Sequence, residues 1–533
     1  MTSTQSQQGQ FSRLEFDPQL QALRDFLPSL LPFLEIDSHS YGSIFVEKKS
    51  NLSCMVNLLQ SQVSDDVSLG LVLRIYDGYT LYECATDDLE PDTLMETAIN
   101  FACRVAVTAP QPGAVRREYH ATPWAERLQA QLDPDITSQI APDVTPQSQV
   151  HFGIRFEQDP RSASTQARLA GLKDILARIQ ARAAQHGLAE ADLSYMMAHQ
   201  NMSIETSLFI DSEVNMSQSL MRLSLTLLTM AGADRTWARF GGLGGLETIA
   251  FADSEIDLLL GDLAALKQSQ RIQPGKYRIL ISPGIAGVVA HEAFGHSQEG
   301  DTCARGRSKA WDLYQSGERV GNPQATILNN PAIFQNGADS FAAWGSYYFD
   351  QEGWLAQEQV LLDAGRLCAP MTNMTSALRL GVPRTANGKR ESWGNGVYTR
   401  QTNTYFSAGQ ATFEQLMQQL KDGFLATHMA GGMEDPKGMG IQVGIQFLKE
   451  VKDGKLTGRV FKGPAGGDIQ LTGYTPDVLA AIENKSKIEF DSAAADTARH
   501  PVNEVGGCGK YHKEFVEAGC GGPYLLLDQI NLG

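Results

Sequence analysis

Long apolar runs are missing from this chain of 533 residues. The richest early stretch, Phe26 to Ile36, is broken by Pro28 and Pro32 and is too short to span a bilayer. The N-terminus is polar and glutamine-rich, without the charged start and apolar follow-on of a signal peptide. Cysteine is scarce: seven, an odd number scattered over the chain, do not make a disulfide framework. Together these absences predict a cytoplasmic protein. Clustered positive charge is missing too. With 44 Lys and Arg against 61 Asp and Glu, the net charge is −17 and the pI near 5.1. That excludes a generic binder of nucleic acid or anionic membrane, and Arg305-Gly306-Arg307-Ser308-Lys309 reads as a solvated loop. The glycine-rich Phe240 to Leu246 lacks both a P-loop ending and a dinucleotide spacing.

What is present is a concentration of chemistry in a chain with only ten histidines. Residues 291–301 read His-Glu-Ala-Phe-Gly-His-Ser-Gln-Glu-Gly-Asp. Two imidazoles and a carboxylate within six residues supply the parts of a zinc site with a built-in general base. Histidines four apart on a helix sit about 40° apart around the axis and reach one ion. Five apart, as His291 and His296 are, they would stand about 140° apart on an ideal α-helix. The backbone must change course between them, and Gly295 is the expected place. The bland alternative is a helix with one core and one exposed histidine. The preceding residues argue against it: Tyr277–Ile281 reads as a buried strand, with Ser282 as N-cap and Pro283 at the first helical position. Ile285, Val288 and Val289 then form an apolar face leading to His291.

The rest of the chain reads as α+β. Length predicts three or four domains, or two large ones. Residues 1–15 are expected to be disordered, and 16–235 to form an N-terminal α+β domain. In it, short strands (Gly42–Val46, Gly70–Tyr76) meet an Asp77-Gly78 turn, and helices lie near 90–106 and over Thr165–His186. Within that domain, proline-rich 109–150 reads as an extended connection or loose insertion. Residues 236–533 read as a larger, mainly β C-terminal domain carrying the metal-site helix, with further helices near 412–422 and 476–484.

Zinc needs a third protein ligand and an open fourth position. No other histidine repeats a ligand spacing. Cys508, in Gly506-Gly507-Cys508-Gly509-Lys510, has glycines that let the backbone approach a crowded centre and a lysine that favours the thiolate. Cys520, in Gly519-Cys520-Gly521-Gly522, is its rival. With these residues in view the chain resembles the TldD/PmbA family, in its metal-bearing, TldD-like branch. The resemblance rests on His291-Glu292-Ala293-Phe294-Gly295-His296 with Glu299-Gly300-Asp301, then Phe349-Asp350-Gln351-Glu352-Gly353, Asn387-Gly388-Lys389-Arg390, Arg400-Gln401-Thr402-Asn403-Thr404, Gly431-Gly432-Met433-Glu434-Asp435 and Gly507-Cys508-Gly509-Lys510. It departs at the long 109–150 stretch, at Asn329-Asn330-Pro331 and at Tyr511-His512-Lys513.

The resemblance implies a metallopeptidase with one Zn²⁺ per chain on His291, His296 and Cys508, and Glu292 as general base. It also implies an enclosed site for extended or unfolded peptides, and a homodimer or a heterodimer with a PmbA/TldE-like partner. Arg400 and Asn403 are candidates for substrate contact or for a structural role in the β-domain, and Glu299 and Asp301 for orienting the histidines or for a capping or surface role. Two alternatives stand beside hydrolysis: maturation of a modified peptide at a non-standard C–N bond, and a non-catalytic partner subunit.

Overall fold

The computed structural model describes residues 11–108, 117–119, 124–131, 133–141, 143–488, 499–510 and 513–533. The N-terminal half is built on a seven-stranded sheet whose long central strands, Tyr41–Asn57, Ser61–Tyr76, Tyr195–Ile210 and Asn215–Ala231, pair antiparallel. The expected short strands at 42–46 and 70–76 are thus the apolar ends of much longer ones. Their outer halves, polar and more exposed, carry little periodicity to read. Helix Pro91–Ala106 buries Leu94, Ala98, Phe101, Ala102 and Val105, a 3-4 spaced stripe, on Ile44, Val46, Leu71, Leu73 and Ile75. Helix Thr165–Ala183 does the same with Leu172, Leu176 and Ile179, and its run ends at Gly187 in the left-handed conformation. Each fully buried side chain of this kind contributes roughly 1.5–3 kcal/mol.

Three expectations change on this half. Residues 1–10 lie outside the described residues. Ser12–Arg13, expected to be disordered, pairs with Arg155–Phe156 because Leu14 is buried and Arg13 bonds Asp135 at 2.9 Å. Within 109–150 the described residues include the short helices Trp124–Ala130 and Pro134–Thr137, so the stretch is not purely extended. The strand Asp234–Leu243 pairs with Asn215–Ala231, so the N-terminal sheet runs past residue 235.

The C-terminal half is mainly β, as expected, with two sheets enclosing one short helix. An eight-stranded mixed sheet places Gly275–Ile281 parallel to Gly423–Asp435 and antiparallel to Leu525–Leu532. A six-stranded sheet runs through Ile327–Asn329, Asn403–Phe406, Lys513–Gly521 and Glu504–Lys510. Helix Pro283–Ala290 is buried along its whole length among Ile279, Ile281, Val443, Ile445 and Leu527. A side chain at Gly287 would overlap the backbone of Cys520–Gly521, so this glycine lets the helix lie directly on the second sheet. The halves meet where Phe209, Met216 and Leu220 pack on Tyr347, Tyr348 and Phe349. Among the described residues no helix is long and apolar enough to cross a membrane.

Candidate metal centre

Strand Gly275–Ile281 delivers its helix through Ser282 and Pro283, which occupy the cap and first helical positions. The Ser282 hydroxyl makes no capping hydrogen bond. After Ala290 the chain does not break at Gly295 but widens. His291–Gly295 is a π turn, closed by the His296 N–H donating to the His291 carbonyl five residues back. A π turn takes up one extra residue while keeping the helical course, so histidines five apart come to one face. Gly295 has helical angles, φ −62° and ψ −66°. Its missing side chain answers a packing demand instead, since a Cβ there would overlap Gln401 Oε1.

The two imidazoles stand edge to face with centroids 4.6 Å apart. Cys508 Sγ, on the edge strand Glu504–Lys510, lies 3.0 Å from His296 Nε2. One donor atom each from His291, His296 and Cys508 falls within a 4.8 Å set. Around tetrahedral zinc, with bonds of about 2.0–2.3 Å, donors stand roughly 3.3–3.6 Å apart. Two imidazoles and a thiolate at this spacing fit that ion and leave a fourth position. Burial alone would push the Cys508 thiol up, but His296 and His291 outweigh it and hold the group well below an ordinary thiol. Cys520 shows the opposite. Burial, with Glu504 and Glu292 nearby, pushes it well above, and it joins no donor set among the described residues. Of the two rivals, only Cys508 has the electrostatics of a ligand.

Glu292 is buried beside the histidines, and Gly432 lets the neighbouring strand approach: a Cβ there would stand 2.6 Å from Glu292 Cγ. Burial raises Glu292 to about 7; the imidazoles oppose the rise and the Glu434 carboxyl adds to it. Glu299 places Oε1 3.3 Å from His296 Nδ1, so it orients that ring. Asp301 lies in the first turn of helix Gly300–Ala304 and accepts from the Thr302 N–H at 3.0 Å.

Of the two roles open for Arg400 and Asn403, their burial and partners favour the structural one. Arg400 is 1% exposed; Nε stands 3.3 Å from Glu299 Oε1, and Nη2 donates to the Cys508 carbonyl at 2.7 Å. Asn403 is 0% exposed, with its amide used up by Gly345 N–H, the Asn330 carbonyl and Ser346 Oγ. Neither lines the cleft above the centre. Asn329, a departure from the family pattern, accepts from the Thr402 N–H at 2.9 Å and so holds the same loop. Tyr511 and His512 lie outside the described residues.

The sequence reading missed Glu434 and Gln401. Glu434 shares a 4.8 Å donor set with Glu292 and His296. Gln401 Nε2 donates to the His291 carbonyl at 3.2 Å. The glycine pair before Met433-Glu434 was the available signal, since paired glycines mark close backbone approach. The cleft has a volume of about 530 Å³ and is lined by Arg239, Met429, Met433, Glu434, Glu504 and the glycines around Cys508. The element Phe349–Gly353 lies elsewhere. Glu352 sits in a buried ion network with Arg74 of the N-terminal sheet and with Arg384.

Residues 274–533 match the PmbA/TldA metallopeptidase C-terminal domain. A protein of Haemophilus influenzae named metalloprotease TldD homolog is 29% identical over 331 residues, 59% of this chain and 62% of that protein. One of Saccharolobus solfataricus, named zinc metalloprotease TldD homolog, is 28% identical over 260 residues, 49% of this chain and 52% of that protein. The chain thus spans between half and two thirds of the length of these relatives. The crystal structure of TldE from Thermococcus kodakarensis shares the fold, with a TM-score of 0.62 at 13% identity over 95% of this chain and all of that one. Residues 274–533 are therefore a C-terminal domain of the TldD/PmbA family.

Proposed function

We propose that this chain is a zinc-dependent peptidase that hydrolyses extended or unfolded peptides, with one Zn²⁺ held by His291, His296 and Cys508. The observation that carries the reading is the convergence of a π-turn histidine pair, a thiol held far below its ordinary value and a buried carboxyl near 7 on one cleft. Zinc, when bound, supplies a Lewis acid and lowers the pKa of water beside it towards about 7. Glu292 Oε takes the proton from the attacking water and passes it to the leaving amine, and a carboxyl near neutrality suits both transfers. Glu299 and Arg400 keep the His296 ring in place while this happens. A cleft of about 530 Å³, with glycines around Cys508 and larger side chains such as Arg239, Met429 and Met433 on its walls, takes a short extended segment rather than a folded surface.

The intact His-Glu pair favours catalysis over a non-catalytic partner role. The likeness to a protein named TldE supports pairing of this chain with itself or with a TldE-like subunit, and the mass in solution tests that. The test of the activity is hydrolysis of an unstructured peptide before and after chelation, with zinc measured alongside. Glu292→Gln should keep its zinc and lose at least about a hundredfold in rate. Undiminished hydrolysis in that variant would remove Glu292 from the role, and hydrolysis that survives complete zinc removal would remove the metal.

A further inference from the structure

Away from the metal cleft, a second cavity of about 200 Å³ lies where the two halves of the chain meet. Glu47 and Arg222 of the N-terminal sheet face Gln351, Lys389 and Glu517 of the C-terminal half across it. Most charges around it are matched inside the protein: Arg222 pairs with Glu205 at 3.3 Å, Lys49 with Glu517 at 3.9 Å and Arg390 with Glu83.

Two are not. Glu47 is 2% exposed; Oε2 accepts from Gln351 Nε2 at 3.0 Å, whereas Oε1 has no hydrogen-bond partner. Lys389 is 9% exposed and donates to the Glu517 carbonyl, but no carboxylate among the described residues lies within 4 Å of its ammonium. A buried acid and a buried amine with no opposite charge in ion-pair contact are costly, and each answers by neutralising. Burial, then Glu205, lifts Glu47 to about 8 against the opposing pull of Lys49, Arg390 and Arg222. Burial, then Arg222 and Arg400, lowers Lys389 to about 7 against the opposing pull of Glu517 and Glu205.

A single bound ion would match one of these groups and leave the other. A molecule carrying both an ammonium and a carboxylate matches both. At about 30 Å³ per water the space equals roughly seven waters, which suits a small amino acid and falls below the roughly 300 Å³ of a drug-sized pocket. We propose that this interdomain cavity binds a small zwitterionic amino acid, its α-ammonium on Glu47 and its α-carboxylate on Lys389. The wall bearing Val516 and Glu517 pairs in register with Cys508 and Gly507, so the occupant sits one strand from the metal centre. The proposal stands whether or not the metal centre hydrolyses peptides.

The experiment is calorimetric titration of the full, zinc-loaded protein at pH 7.5 with alanine, and with propionate and ethylamine as molecules lacking one charge each. Alanine should bind, and each control should bind at least about tenfold more weakly. Glu47→Gln, nearly isosteric, should weaken alanine by about tenfold or more with unchanged zinc content and thermal midpoint, and Lys389→Met should do likewise. Should Lys389→Met fail to fold, Glu47→Gln and the two controls still decide. Absence of alanine binding, controls that match alanine, or an affinity untouched by Glu47→Gln (which would place the amino acid at the metal) each overturn the proposal.

Discussion

Arg400 Nε and His296 Nδ1 each stand 3.3 Å from the same atom, Glu299 Oε1, while the other arm of Arg400 donates to the Cys508 carbonyl. One guanidinium therefore ties together two proposed ligands that lie 212 residues apart in the chain.

Arg400→Met should weaken zinc binding by about 10–100-fold with the fold kept, the usual effect of removing a group that orients a ligand. Arg400→Lys should recover little, because one ammonium cannot serve two acceptors in the geometry of a planar fork. Competition with a chromogenic chelator measures it. Wild-type affinity in the methionine variant would reduce Arg400 to a packing residue.

Gly295→Ala should destabilise the protein by about 1–3 kcal/mol and loosen zinc, although alanine is the better helix former. The new methyl must displace Gln401, which holds the His291 carbonyl. Adding Gln401→Ala should restore part of the thermal stability. A double variant no better than Gly295→Ala alone would show that the π turn has some other need for glycine.

Cys508→Ser should lose its zinc on dialysis against chelator, and Cys520→Ser should keep it. Cobalt in place of zinc gives a second readout, since the thiolate-to-metal absorption should vanish only in the first variant. The contrast follows from opposite shifts at two equally buried cysteines.

Glu352 tests the join between the halves. Burial opposes its charge, but Arg74 and Arg384 hold the carboxyl below its ordinary value. A depressed carboxyl contributes stability that is present above its unfolded value of about 4.3 and is lost as pH falls through the folded value. Glu352→Gln should therefore unfold more easily at pH 7, by about 3–5 kcal/mol if the arginines are left unpaired. It should also show a shallower loss than wild type as pH drops below about 4. Chemical unfolding at a series of pH values reads both effects, and parallel curves would rule out the network as the acid-sensitive element.

Much of the helical structure was legible because the periodic stripes are local. Leu172, Leu176 and Ile179 announce their helix, and Gly187 its end. The long strands were seen only at their apolar ends, since residues such as Ser61 to Val67 gain their partners from register across the sheet rather than from pattern. The roles of Arg400 and Asn403 stayed open for a related reason. A polar residue within a family element reads as a ligand contact until its partners are known, and these partners sit on strands far away in sequence.

By itself the sequence determined that two histidines and a glutamate share one short segment, that one extra residue separates the histidines, and that the fold is α+β with a β-rich C-terminal half. How the extra residue is absorbed was decided only in three dimensions. A π turn carries it, Gly295 leaves room for Gln401, and the helix before it is pressed between two sheets. The choice of Cys508 over Cys520 on physical grounds was also tertiary. Each is a cysteine among glycines, and what separates them is which one stands 3.0 Å from an imidazole and which one is raised by burial, carboxylates and the other thiol.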